Sequence, residues 1–172
     1  KALEIASGTG QHIVKLAVAT PHLDWQPSEI DQLRIASIEA WCKNDNFANV
    51  RPPIIIDATE IGWSSKFNCQ KFILSVNLFH LISEEEAQIL ISEMSSALSP
   101  GGRSIIYGPF KRNGKLTSAG DQTFHQSLIE ADPQIGYKND VWMTAQLKKA
   151  KLELLKVATM PANNLALIFE KP

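Results

Sequence analysis

The chain has 172 residues, 44% of them apolar and only 8% aromatic, with 17 basic and 18 acidic side chains, enough for one well-buried core and one site. Its formal charge is −1 and its Lys and Arg residues are scattered, so it lacks the basic footprint that grips a phosphate backbone, and nucleic acid is a poor expectation as partner. No apolar run reaches the roughly 20 residues of a membrane span, and neither the two cysteines nor the four histidines show metal-ligand spacing; no membrane and no metal are expected, and a reducing compartment, the cytoplasm, is.

Taken in chain order, strands and helices alternate. Residues 2–6 read as an apolar strand that runs into Ser7-Gly8-Thr9-Gly10, after which Ile13, Val14, Leu16 and Ala17 keep helical spacing up to Pro21. A second strand is expected over 23–26, and then a helix from Pro27-Ser28-Glu29 that buries Ile30, Leu33, Ile38 and Trp41. Pro52-Pro53 stops it. The β-branched run Ile54-Ile55-Ile56 predicts a strand covered on both faces and ending at Asp57, and 72–76 predicts a fourth strand.

Ser83 and Glu86 have the spacing of a capping box, and Ala87, Leu90, Ile91, Met94 and Leu98 continue a helix that Ser99-Pro100-Gly101-Gly102 ends. A fifth strand follows over 104–107. The polar stretch 111–121 is either a mobile loop or a surface excursion, and helices fit 122–130 and 141–150. Two last strands, 152–159 and 165–170, are joined by Met160-Pro161-Ala162-Asn163-Asn164, short enough to demand an antiparallel hairpin. The expected fold is therefore α/β, a Rossmann-like doubly wound sheet of seven strands, mostly parallel, with an antiparallel strand in the C-terminal hairpin. One domain over 1–172 is expected. Because Lys1 leads almost directly into a strand, a preceding N-terminal segment is expected too.

Glu4-Ile5-Ala6-Ser7-Gly8-Thr9-Gly10 resembles the first motif of class I S-adenosylmethionine-dependent methyltransferases. With Trp25-Gln26-Pro27-Ser28 and Tyr107-Gly108-Pro109-Phe110, the segment 3–12 resembles a family of small methyltransferase-like proteins whose function is uncharacterised. The resemblance implies a methyltransferase that takes S-adenosylmethionine and leaves S-adenosylhomocysteine. It does not imply an acceptor, nor does it tell the oligomeric state. A catalytically inactive binding or partner protein on the same fold is the alternative.

The residues themselves support a ligand at that turn. Gly8 and Gly10 lack a Cβ, so the backbone can bend sharply at the end of the first strand and expose the amides of Ala6, Ser7 and Thr9 where open α/β sheets bind ligands. A nicotinamide fingerprint would need a third glycine where Ile13 stands. Glu4 offers a negative charge to a sulfonium or ammonium group, directly or through water, or it caps local amides. Glu29 follows the turn at close to the roughly 20-residue separation used to hold a ribose by its hydroxyls, although a helix N-terminal glutamate has dipole reasons of its own. By the resemblance, Asp57-Ala58 would meet the adenine amino group; the other reading of Asp57 is a turn closed on its own backbone. Trp63 is the tryptophan most suited to reach the adenine.

After the fourth strand, Asn77 and His80 are the polar residues expected on the methyl-transfer face, with Leu78-Phe79 replacing the two prolines that base-amine methyltransferases carry at this point. His80 reads either as a proton acceptor or as a structural histidine. Tyr107 is the second candidate for proton transfer, and Tyr107-Gly108-Pro109-Phe110 forms either a substrate wall or an aromatic corner. The loop after Tyr107 is the sole obvious decoration on the sheet, so a small-molecule acceptor is preferred.

Overall fold

The computed structural model describes residues 1–45 and 47–172. Seven strands form one sheet in the order β3-β2-β1-β4-β5-β7-β6. They are β1 (Ala2–Ile5), β2 (Trp25–Glu29), β3 (Ile54–Ile55), β4 (Gln70–Val76), β5 (Leu98–Pro109), β6 (Glu153–Thr159) and β7 (Asn164–Glu170). The first five pair in parallel, and β7 runs antiparallel to both β5 and β6, as the short hairpin connection requires. Helices α1 (Gln11–Ala19), α2 (Gln32–Asp45), α3 (Trp63–Lys66), α4 (Glu84–Ala97), α5 (Ala119–Ala131) and α6 (Asp140–Lys149) complete the alternation.

Successive residues of a strand point to opposite faces, and β1 shows the result. Ala2 joins Ile13, Trp25, Ile38 and Leu74 in a small core beneath α1 and α2, while Leu3 and Ile5 join Ile73, Leu90, Met94, Ile106, Leu147 and Phe169 in a larger one beneath α4 and α6. Residues buried on both faces need no polar side, which is why β1 is buried throughout. The capping box forms as the spacing predicts: Ser83 Oγ accepts from the Glu86 amide at 3.1 Å and Glu86 Oε2 from the Ser83 amide at 2.7 Å.

Three expectations are corrected. Strand β2 does not stop before Pro27 but runs through it to Glu29, with Pro27 opposite Glu4. The N–H that proline lacks would face the outer side of the strand, where β3 has not yet begun; there Gln26 Nε2 donates to the carbonyls of Pro27 and Pro52. The isoleucine run is not a doubly covered strand, since β3 has two residues at the sheet edge and Ile55 is 62% exposed. The second helix starts at Gln32, behind Asp31, whose Oδ1 accepts from the amides of Leu33 and Arg34. Of its expected buried face only Ile38 is fully buried, while Ile30, Leu33 and Trp41 are exposed.

The polar stretch after β5 is a surface excursion held at several points. Arg112 Nη2 donates to the Asn163 carbonyl at 3.0 Å, the Asn113 amide to Asp140 Oδ1 at 2.9 Å, and Thr117 and Ser118 to Asp121 Oδ2. Burial alone would raise the Asp121 carboxyl, but hydrogen bonds from Thr117, Ser118, Tyr137 and Asn163 hold it below the ordinary range. Among the described residues, no helix is long and apolar enough to cross a membrane.

Candidate functional site

Strand β1 lies between β2, reached through α1, and β4, reached after β3 on the other side, so the winding reverses between β1 and β4. Open α/β sheets leave a crevice at the carboxyl edge of such a reversal. Here it is a cleft of about 350 Å³. One wall is the β1–α1 turn, Ala6, Ser7, Gly8 and Thr9, with Gln11 and His12 of α1; the other is Val76 at the end of β4 with Asn77, Leu78 and Leu81 beyond it; Arg34 of α2 is also in the lining. Ala6 at φ 54 and Asn77 at φ 56 place both strand ends in the left-handed region, which costs a residue with a Cβ roughly 1–2 kcal/mol and favours asparagine or glycine.

The two glycines serve different ends. At Gly8, φ 59, an added Cβ would meet nothing within 4 Å, so the missing side chain leaves open cleft. At Gly10, φ 90, it would stand 3.2 Å from Cα and Cγ1 of Ile38 and 3.3 Å from Trp41 Cδ1, so this glycine lets the turn lie against α2. Only at Gly8 does the missing Cβ leave open space.

Extending β2 to Glu29 brings its carboxylate to the turn. Oε2 accepts from the Gly8 amide at 2.8 Å, Oε1 accepts from the Ile30 amide at 2.9 Å and the Asp31 amide at 3.4 Å, and Arg34 Nη1 lies 3.9 Å from Oε2. Glu29 is 2% exposed and ties the end of β2 to the glycine bend. Glu4 lies below, 1% exposed, with neither carboxylate oxygen hydrogen-bonded. Burial pushes its carboxyl up to about 7, the nearby Ser7 hydroxyl opposing this and the charge of Glu29 adding to it. The imidazole of His12, 54% exposed, has its Nδ1 4.0 Å from Glu4 Oε1.

The other predicted residues divide between cleft and core. Asn77 lines the cleft, its amide donating to the Tyr107 carbonyl at 2.8 Å. Asp57 lies outside the lining and closes on Thr59, with Oδ1 accepting from the amide at 2.9 Å and from Oγ1 at 2.6 Å, while Ala58 is buried in the larger core. Trp63 does not reach toward the cleft; it is buried in the same core where α3 meets α4.

His80 and Tyr107 stand behind the lining. His80 is 7% exposed on a 3-10 turn, Phe79–Leu81, with its ring edge-on to Phe124 at 5.6 Å and Tyr137 at 6.3 Å. Burial, helped by the charge of Lys138, pushes its imidazole down to about 4, and Nδ1 has no partner. The Tyr107 hydroxyl accepts from Asn164 Nδ2 at 3.1 Å. Gln11, His12, Arg34 and Leu81 line the cleft although sequence reasoning does not single them out as site residues. Gln11-His12 directly follow the glycine turn, a usable signal; Arg34 carries none beyond its closeness in sequence to Glu29.

The cleft lies in a fold seen in several solved structures. One is an O-methyltransferase family 2 protein from Planctomyces limnophilus DSM 3776 in complex with apigenin, with TM-score 0.85, 14% identity and coverage of 99% of this chain and 50% of that one. PigF with SAH gives TM-score 0.82 and 14% identity, again covering 99% of this chain and 50% of the other. The [4+2]-cyclase SpnF gives 0.76 and 14%, covering 99% and 75%. The chain thus spans about half the length of the first two. Such identities show a shared Rossmann-like methyltransferase fold, and a fold shared by methyltransferases and a cyclase does not name a reaction. Over residues 1–171 the chain matches the family described as protein of unknown function (DUF938), and it belongs to that family.

Proposed function

We propose that the chain binds S-adenosylmethionine in the β1–β4 cleft and works as a methyltransferase on a small-molecule acceptor. The observation that carries this reading is the joint of Gly8 and Glu29: an open bend at the reversal of the sheet, held by a carboxylate from the end of the next strand. The residues fit the group. Glu29 keeps about one acceptor site for a ribose hydroxyl after its three amide bonds, the turn Ala6 to Thr9 borders the open space, and the unpartnered Glu4 carboxylate nearby suits a cationic end. Asn77, in the lining, would serve the methyl-transfer side, whereas Asp57 and Ala58 lie outside it and would reach an adenine only by leaving their present contacts.

Bound S-adenosylmethionine supplies an electrophilic methyl on a good leaving group. The protein's share is alignment and exclusion of water, and orientation lowers such barriers by up to about 7–11 kcal/mol in favourable cases. No base is required for an acceptor that arrives deprotonated. His80 and Tyr107 lie behind the lining, and we give them support of its far wall: His80 by packing on Phe124 and Tyr137, Tyr107 by its bond to Asn164. That same placement favours a second reading, a domain that binds the cofactor without turning it over.

Isothermal calorimetry with S-adenosylhomocysteine tests the binding. Saturable heat with a micromolar Kd and a matching thermal shift are expected; no heat and no shift with either compound would overturn the proposal. Binding with no turnover on any acceptor pool would select the second reading.

A further inference from the structure

A carboxylate that is 1% exposed with two unpartnered oxygens is an exception among buried polar groups, because such groups are bonded almost without fail. Glu4 is in that condition behind the cleft, whose lining includes its neighbours His12 and Ser7 but not Glu4 itself. His12 lines the cleft, and its Nδ1 stands 4.0 Å from Glu4 Oε1, too far for a hydrogen bond and close enough to exclude water. The remaining groups facing Glu4 do not neutralise it. The Ser7 hydroxyl donates to the Glu4 backbone carbonyl, and the Glu29 carboxylate from β2 carries the same charge and is itself next to Arg34.

We infer that His12 is a cap over Glu4, present while the cleft is empty and exchanged for the primary ammonium of an amino-acid ligand. This rests on the cofactor reading above and adds the order of events at the amino-acid end. The imidazole shields the carboxylate from water in the free protein. An incoming ammonium gives both oxygens the donors they lack, and the imidazole turns outward into solvent, where half of it already lies. His12 is a positioning residue that competes with the ligand, not a ligand contact.

Two consequences follow. The Glu4 carboxyl, pushed up to about 7, is half protonated at neutral pH, so seating a cation on it expels about half a proton at pH 7 and close to one at pH 6. Removing the imidazole leaves the carboxylate available, so His12→Ala binds the ligand as tightly as the wild type or a few-fold more tightly. Glu4→Gln keeps size and burial but loses the charge, and binds at least tenfold more weakly with no proton release.

The experiment is calorimetry of S-adenosylhomocysteine at pH 7 in buffers of different ionisation enthalpy, on the wild type, Glu4→Gln and His12→Ala. Buffer-dependent heat that vanishes in Glu4→Gln and undiminished affinity in His12→Ala are expected. If the wild type binds but releases no proton, or His12→Ala loses tenfold in affinity, the exchange is overturned while the cofactor reading stands. If the wild type does not bind at all, the cofactor reading fails and takes the exchange with it.

Discussion

Replacing Gly8 and Gly10 by alanine, one at a time, separates what the turn does for the ligand from what it does for the fold. Both residues have positive φ, 59 and 90, so each alanine carries a backbone penalty of roughly 1–2 kcal/mol, offset by roughly 0.4–1 kcal/mol from the restricted unfolded chain. At Gly8 nothing else is added, because the new Cβ has no neighbour within 4 Å. At Gly10 it stands 3.2 Å from the Ile38 backbone, and overpacking of that kind costs about 1–3 kcal/mol more. Gly8→Ala is therefore expected to lose about 1 kcal/mol and Gly10→Ala about 2–3 kcal/mol, the latter a fall of about 5–10 °C in Tm. The order reverses in binding: the Gly8→Ala methyl enters the cleft and should weaken S-adenosylhomocysteine at least tenfold. Urea unfolding and calorimetry on the same preparations provide both numbers. Equal destabilisation by the two substitutions, or unchanged affinity in Gly8→Ala, would refute the division of labour.

Ala6 sits at φ 54 without glycine's freedom, so Ala6→Gly should stabilise the protein by about 0.5–1 kcal/mol in urea unfolding; a loss of stability would show that its methyl is needed in packing. The folded Glu4 carboxyl, at about 7 against an ordinary 4.5, favours the protonated form, so ligand-free stability is greatest below 4.5 and falls as pH rises, by on the order of 3 kcal/mol once above 7. Glu4→Gln should flatten that slope and be the more stable protein at pH 8, and a wild-type slope retained in the variant would exclude Glu4 as its source. His80 acts in the opposite sense. Its imidazole is held down to about 4 against an ordinary 6.5, so stability is intact above 6.5 and declines as pH falls toward 4, by on the order of 1–3 kcal/mol. His80→Gln should remove that decline, as read from unfolding midpoints between pH 4 and 7.

The first strand, its glycine turn and the capped fourth helix were legible because each is written in contiguous residues whose local physics agrees with the fold. The closing hairpin was legible from one short connection. Where local signals mislead, tertiary context overrides them. Pro27 reads as a strand terminator, yet it sits in β2 because only the unpaired side of the strand lacks a donor. Ile30 and Leu33 fit a buried helical face, yet the helix begins after Ile30, and Leu33 in its first turn is exposed. At the site, spacing singles out Glu29 but does not show that its carboxylate grips the Gly8 amide across 21 positions. Arg34 and Leu81 line one cleft only because the sheet reverses between β1 and β4. His80, polar at the end of a strand, looks like a cleft residue until the 3-10 turn folds it back among Phe124 and Tyr137.

The most direct test of a ligand at the sheet reversal is a titration of backbone amide resonances with S-adenosylhomocysteine. Saturable shifts are predicted at Gly8, Thr9, Ile30 and Asn77, with Leu155 and Val157 at the far edge of the sheet unmoved. Shifts confined to residues away from the cleft, such as those between α4 and α6, or no shifts at all, would contradict it.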